Sequence, residues 1–131
     1  MDLNAYQDKA MSTCMNSCRN ISYMLLNLVG EVGEFSSKLA KAIRKNQVSI
    51  GGKTIINRNV LTIRDDSSET IDFDILAFDE ELKKEAGDIL WQLSGVCSIM
   101  GWKLNDVAKM NLDKLASRQQ RGVIDGDGDN R

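Results

Sequence analysis

Two apolar stripes, one in each half of the chain, constrain the fold more than any other feature. In both stripes, apolar residues recur at alternating steps of four and three, which places them on one face of an α-helix. The chain of 131 residues contains no proline, which suits long uninterrupted helices. Because such a stripe faces a partner helix, the sequence predicts a helical bundle. The first stripe is Ile21, Leu25, Leu28, Val32, Phe35, Leu39 and Ala42, and the second is Leu82, Ala86, Ile89, Leu93, Val96 and Met100.

The wider pattern predicts an all-α domain of about four helices with a small β-hairpin insertion. The helices are expected at residues 3–18, at 21–45 after an Asn20 cap, from between 74 and 79 up to Gly101, and from 104 onward. Between the second and third helices, strands at 48–50 and 53–56 flank a Gly51-Gly52 turn, and a further strand follows at 60–63. We therefore expect residues 1–131 to form one domain, with an insertion at 47–74 and a flexible tail at 122–131.

Each stripe carries a pair of acidic residues three positions apart, namely Glu31 with Glu34 and Glu85 with Asp88. Every one of these acids immediately precedes a stripe residue, so both pairs lie on the same flank of their helices. If the stripes pack together, the four carboxylates border a common cleft. The alternative is that each pair is a solvated helix face.

The four carboxylates of a shared cleft would need a counterion. Two like charges about 4 Å apart repel by about 1 kcal/mol in water and about 4 kcal/mol at an effective dielectric of 20. Mg²⁺ or Mn²⁺, which prefer oxygen ligands, are the natural counterions. The same repulsion predicts that Glu85→Gln raises the melting temperature in EDTA.

Five further residues are candidates for binding a substrate. Lys38 lies one turn beyond Glu34, where it is either an ion-pair partner or a phosphate contact. Trp91 extends the acidic flank of the third helix, either packing in the core or an interface or stacking on a base. In the fourth helix, Asn111 is expected to point inward, with Lys114 and Arg118 on the neighbouring face. The alternative there is a buried structural asparagine beside an ordinary basic surface.

Composition excludes several other classes of protein. The net charge of −2 argues against a nucleic-acid coat, and no apolar run approaches the roughly 18 residues of a membrane span. No signal peptide is evident, and the odd number of cysteines, three, predicts reduced thiols in a cytoplasmic protein. The absence of histidine means that any general base is a carboxylate or a hydroxide bound to a metal ion.

Taken together, these motifs resemble the MazG-like, all-α nucleoside triphosphate pyrophosphohydrolases. The resemblance implies a magnesium-dependent enzyme, with Mn²⁺ as a substitute, whose acids hold the metal. It also implies that Asn111 positions the nucleotide and that Lys38, Lys114 and Arg118 contact phosphates. A chain of this size is expected to assemble as a homodimer or homotetramer. The resemblance rests on Leu28-Val29-Gly30-Glu31-Val32-Gly33-Glu34 with Lys38, on Glu85-Ala86-Gly87-Asp88-Ile89-Leu90-Trp91, and on Asn111-Leu112-Asp113-Lys114-Leu115 with Arg118.

The chain departs from the pattern of that family in two places. Gly30 stands where the family motif often has an additional acid, which leaves the identity of the general base open. Glu34 and Glu85 are 51 residues apart, farther than is common in the family, and the hairpin accounts for the difference.

The implied reaction is hydrolysis between the α- and β-phosphates of a nucleoside triphosphate, giving a monophosphate and pyrophosphate. Mg²⁺ would neutralise the triphosphate, and Glu34 is the candidate to accept the proton of the attacking water. Two other functions stay open: a non-catalytic helical oligomer, and a regulator that binds a nucleotide or alarmone without turnover.

Overall fold

The computed structural model of the chain describes residues 1–44, 54–57, 60–64, 70–71 and 76–126, which contain four α-helices. The helices are α1 (Leu3–Ser12), α2 (Ile21–Arg44), α3 (Leu76–Ile99) and α4 (Leu104–Gln120), and a 3₁₀ turn at Asn16–Cys18 lies between the first two. The four helices agree with the predicted all-α class. Among the described residues, no helix combines the length and the apolarity needed to span a membrane.

A small antiparallel sheet lies between α2 and α3 in sequence. It consists of β1 (Thr54–Asn57), β2 (Val60–Arg64) and β3 (Thr70–Ile71), with β2 in the centre. Thr54 pairs with Ile63 and Asn57 with Val60. The strand predicted at 60–63 is therefore present, as β2. The predicted Gly51-Gly52 turn and the strand at 48–50 lie outside the described residues.

The chain divides into two compact units. The first comprises Met1–Met24 and Leu93–Arg131, and the second comprises Leu25–Gln92. The first unit holds α1, α4, the start of α2 and the end of α3, and the second holds the rest of α2 and α3 together with the sheet.

The ends of the helices show why the sequence folds into these elements. The side chain of Asn20 accepts a hydrogen bond from the Tyr23 backbone N–H at 2.8 Å, which confirms the predicted cap of α2. Gly101 ends α3 with a φ of 72°, in the left-handed region that favours glycine. The N–H of Trp102 closes the turn onto the carbonyl of Cys97 at 2.8 Å. This confirms the predicted role of Gly101.

The first helix is shorter than predicted, because α1 ends at Ser12 and not near residue 18. The hydroxyl of Ser12 donates to the carbonyl of Lys9 at 2.6 Å, and that of Thr13 to the carbonyl of Ala10 at 2.7 Å. Such local bonds compete with continuation of the helix. Arg19 then donates to the carbonyl of Met11 at 2.8 Å, a second bond to a carbonyl that already accepts from the Cys14 N–H at 3.2 Å.

Polar side chains of α1 and the start of α4 fasten these two helices together. Gln7 is buried, and its amide donates to the hydroxyl of Ser98 at 3.0 Å and to the carbonyl of Trp102 at 2.9 Å. Its amide oxygen accepts from the backbone N–H of Leu104, the first residue of α4, at 2.9 Å. Gln7 thus caps a helix other than its own.

Where α2 begins and α3 ends, the packing depends on a glycine. Met24 is completely buried, and a Cβ added at Gly95 would overlap its sulfur and terminal methyl. The three cysteines, Cys14, Cys18 and Cys97, are buried free thiols, as predicted. Burial also raises the pKa of the Cys97 thiol.

The predicted apolar stripes of α2 and α3 are only partly buried in the structure. Leu25 and Val32 of the first stripe, and Leu93 and Met100 of the second, are exposed. The buried positions of α3 lie on more than one side of the helix and are polar or small residues, namely Glu85, Gln92, Ser94, Gly95 and Cys97. The prediction was wrong for the four exposed stripe residues, because periodicity shows which face is apolar, but not whether the chain itself covers that face.

Candidate metal centre

Acidic residues of α2 and α3 converge in the second unit. Glu31 and Glu34 from α2 and Glu85 from α3 each offer a carboxylate oxygen, and these three oxygens lie within 4.8 Å of one another. Glu34 is exposed, Glu31 is partly buried and Glu85 is buried. The predicted meeting of the two acidic pairs is therefore confirmed for these three residues, which we call the acidic cluster. Whether they bind metal stays a prediction.

The fourth predicted acid, Asp88, lies beside the acidic cluster without joining that group of oxygens. Its charge still acts on Glu31. Burial is the main cause that raises the pKa of Glu31 above its usual 4.5, and the charges of Asp88 and then Glu34 raise it further. The raised pKa shows that the protein holds Glu31 where its negative charge is disfavoured.

Asn27 orients Glu31, a contact that the sequence analysis missed. Its side-chain amide donates to Glu31 Oε1 at 2.9 Å, and this bond opposes the rise in the pKa of Glu31. The two residues are four positions apart in α2, so they lie one above the other on the helix surface. That spacing is visible in the sequence, but it indicates a role for Asn27 only together with the partial burial of Glu31.

Lys38 brings a positive charge to the acidic cluster. Its Nζ lies 2.8 Å from Glu85 Oε1 and 3.9 Å from Glu81 Oε2. Of the two interpretations of Lys38, the ion pair is thus present in the structure. The hydrogen bond to Glu85 is the main cause that raises the pKa of Lys38. Glu81, one helical turn before Glu85, is a second residue that the sequence analysis missed.

The donor set fits a hard divalent cation. All three groups in the acidic cluster are carboxylates, the ligands that Mg²⁺ and Mn²⁺ accept. Glycines also leave space beside the acids, since a Cβ at Gly33 or Gly87 would meet no atom of the described residues within 4 Å. A glycine in a helix costs about 1 kcal/mol relative to alanine, and packing among the described residues does not explain this cost at either position.

The remaining predicted site residues lie in different parts of the chain. Trp91 is partly buried in the second unit, whereas Asn111, Lys114 and Arg118 belong to α4 in the first unit. Arg118 is buried, so the alternative of an ordinary basic surface is wrong for that residue.

Asn111 does not occupy the inward position that was predicted, because its side chain is exposed. Leu104, Asn111 and Arg118 are seven residues apart and share one face of α4. Both ends of this face are buried, yet its middle is exposed. Arg118, which was predicted on the neighbouring face, is therefore buried, whereas Asn111, which was predicted to point inward, is exposed in the described part of the single chain.

The contacts of the acidic cluster reverse one expectation about stability. Without metal, Glu85→Gln is now expected to destabilise the protein by about 1 kcal/mol, because it removes the charge that pairs with Lys38 at 2.8 Å. Glu31→Gln is expected to stabilise it at pH 7. A carboxylate with a raised folded pKa favours folding below its usual pKa of 4.5, and this contribution is lost as the pH rises through the folded pKa.

Melting curves in EDTA at pH 7 and near pH 4 check both signs. The advantage of Glu31→Gln over the parent should shrink at the lower pH, because the raised pKa of Glu31 means that protonation removes its unfavourable charge there. A higher melting temperature for Glu85→Gln at pH 7 would show that repulsion outweighs its ion pair.

Comparison with known proteins finds sequence similarity over most of the chain. A sequence model described as the MazG nucleotide pyrophosphohydrolase domain matches residues 19–123, which include every predicted site residue. The chain is also 31% identical over 138 aligned positions to the Gene 37 protein of Mycobacterium phage L5, and the match covers all of both chains. No solved structure matches the chain.

Proposed function

Because the chain belongs to the MazG nucleotide pyrophosphohydrolase family, we propose that it hydrolyses nucleoside triphosphates to nucleoside monophosphates and pyrophosphate. The observation that carries the proposal is the meeting of Glu31, Glu34 and Glu85, whose oxygens lie within 4.8 Å of one another. Three acids held this close repel one another, and the single ion pair of Lys38 with Glu85 leaves negative charge that a divalent cation would neutralise. In a magnesium-dependent reaction on a polyphosphate, the three acids would bind the metal ion.

In this proposal, Glu31, Glu34, Glu85 and Asp88 hold Mg²⁺, or Mn²⁺ in its place. The bound ion would supply positive charge that neutralises the triphosphate. Glu34 accepts a proton from the water that attacks the bond between the α- and β-phosphates, and pyrophosphate leaves. Its exposure supports this role, since Asn27 holds the carboxylate of Glu31 and Lys38 that of Glu85.

Other side chains would bind the nucleotide. We propose that Lys38, Lys114 and Arg118 contact the phosphates, that Asn111 positions the nucleotide and that Trp91 stacks on its base. The exposure of Asn111 supports this role, because an exposed side-chain amide is open to a ligand.

We further propose that residues 1–131 act as one domain in a cytoplasmic homodimer or homotetramer. Support comes from the apolar face of α2, where Leu26 and Val29 are 76% and 72% exposed beside Leu25 and Val32. A contiguous apolar patch of this kind typically marks an interface. Sedimentation equilibrium of the wild-type chain measures the number of subunits.

The test of the proposed function is pyrophosphate release from each of the eight common nucleoside triphosphates. We expect turnover with Mg²⁺ or Mn²⁺, little turnover with Ca²⁺ because it takes looser geometry and more ligands, and none in excess EDTA. Equal turnover in EDTA would contradict the metal requirement. Binding of a nucleotide by calorimetry without any product would favour the regulator instead, and neither binding nor turnover would favour the non-catalytic oligomer.

A further inference from the structure

Lys38 of α2 lies between two acids of α3 that differ in their surroundings. Its ammonium is within hydrogen-bonding distance of Glu85, at 2.8 Å, and farther from Glu81, at 3.9 Å. The Glu85 side chain is 10% exposed, whereas that of Glu81 is 60% exposed. One acid of this pair therefore belongs to the acidic cluster, and the other lies at its solvent edge.

We propose that Lys38 is an internal counterion of the acidic cluster, which a divalent cation displaces from Glu85 towards Glu81. In the metal-free protein its ammonium neutralises Glu85, the most buried acid of the cluster. Metal binding and the Lys38–Glu85 pair then compete for one carboxylate. This inference rests on the proposed function, since it takes the acidic cluster to be the metal site.

The competition follows from charge. A divalent cation and an ammonium group on the same carboxylate repel each other, and the low exposure of Glu85 limits screening by water. The ammonium is tethered to α2, so it has to find another acceptor nearby. Glu81 provides one, because it stands one turn from Glu85 on α3 and already lies near the ammonium.

The competition has two consequences for the protein. The metal-free fold is stabilised by its own lysine, so it tolerates the acidic cluster without a bound ion. The affinity for metal is lowered, because binding has to break an existing pair. Once displaced, the ammonium can contact a phosphate group of the substrate. Lys38 would then be an ion-pair partner in the metal-free protein and a phosphate contact in the metal-bound protein.

The experiment measures binding of Mn²⁺ alone by calorimetry, without nucleotide, in Lys38→Met and in Lys41→Met. Lys41→Met is a matched control because it removes the same charge from an exposed position, one turn farther along α2. We expect Lys38→Met to lower the dissociation constant for Mn²⁺ about tenfold, within the range of typical coupling between two ligands. Lys41→Met should change it by less than about twofold. In EDTA, Lys38→Met should also melt below the parent, and Lys41→Met should not.

A double-variant cycle tests the part played by Glu81. Glu81→Gln should weaken Mn²⁺ binding in the wild-type background and have little effect beside Lys38→Met, because it acts through the lysine. The same loss in both backgrounds would overturn the transfer to Glu81. If Lys38→Met does not fold, Lys38→Gln takes its place in each arm.

The remaining outcomes separate this inference from the function on which it rests. Equal effects of Lys38→Met and Lys41→Met would overturn the inference, since general charge would explain both. If Lys38→Met binds Mn²⁺ with the same dissociation constant as the parent, the inference about Lys38 is also overturned. The proposed metal site would not be contradicted by that result. A wild-type chain that binds no Mn²⁺ would contradict the metal site itself.

Discussion

Glu34→Gln is expected to lower the rate of pyrophosphate release by about a hundred- to ten-thousandfold. The proposed reaction gives Glu34 two roles, as a metal ligand and as the base that accepts the proton of the attacking water. Loss of a general base alone costs a factor of about 10² to 10⁴. Glutamine keeps the shape of the side chain but neither accepts that proton nor brings a negative charge to the metal, so the rate should fall while the fold persists.

The matched control is Glu80→Gln, the same chemical change on α3. Glu80 is exposed and pairs with Lys83 at 3.6 Å, one turn along the helix. Ion pairs of this exposed kind contribute at most about 1 kcal/mol, so the control should keep both its fold and its activity. Steady-state rates are measured at saturating Mg²⁺, with melting curves of all three proteins in EDTA. Turnover by Glu34→Gln within threefold of the parent would remove Glu34 from the chemistry.

The two acidic pairs were predictable because the spacing within each pair is a matter of local helix geometry. Two acids three residues apart lie on one side of any helix, and the matching register of the two pairs placed them on the same flank. The caps of the helices were predictable for a similar reason. Asn20 and Gly101 act on backbone groups within a few positions of themselves, so no knowledge of the tertiary packing was needed.

The neighbours of the acids were harder to predict, because their roles depend on which residues meet across two helices. Lys38 could be placed on the acidic flank of α2, but its choice of Glu85 and Glu81 needed the packing of α3 against it. Asn27 was recognisable only once Glu31 was known to be partly buried, since an exposed acid gains little from an amide one turn away.

Burial itself was the least predictable property. Both Leu25 and Val32 belong to a regular apolar stripe, yet both are exposed in the single chain. Glu85 is an acid, yet it is buried and paired. A sequence pattern orders the faces of a helix by polarity, whereas burial also depends on which partner covers each face. Where that partner is another subunit, as we propose for α2, the pattern is satisfied only in the assembly.

The largest effect on stability is expected for Gln7→Ala, which should destabilise the protein by about 2–3 kcal/mol. The substitution removes three hydrogen bonds that join α1 to the end of α3, to the turn after it and to the start of α4. Most of the cost comes from what is left behind. The N–H of Leu104 lies at a buried helix start, and leaving one such group without a partner costs about 1–3 kcal/mol. The cavity left by the missing side-chain atoms adds to that cost.

Two further variants assign the loss to its cause. Gln119→Ala makes the same change at an exposed position of α4 and should shift the free energy of unfolding by less than about 0.5 kcal/mol. Gln7→Leu fills much of the volume but forms none of the hydrogen bonds, so it should be nearly as unstable as Gln7→Ala. Urea denaturation of the three variants measures the effect as a lower midpoint with an unchanged slope. If Gln7→Leu were as stable as the parent, packing rather than hydrogen bonding would hold α1 against α4, and the cap that Gln7 provides would contribute little.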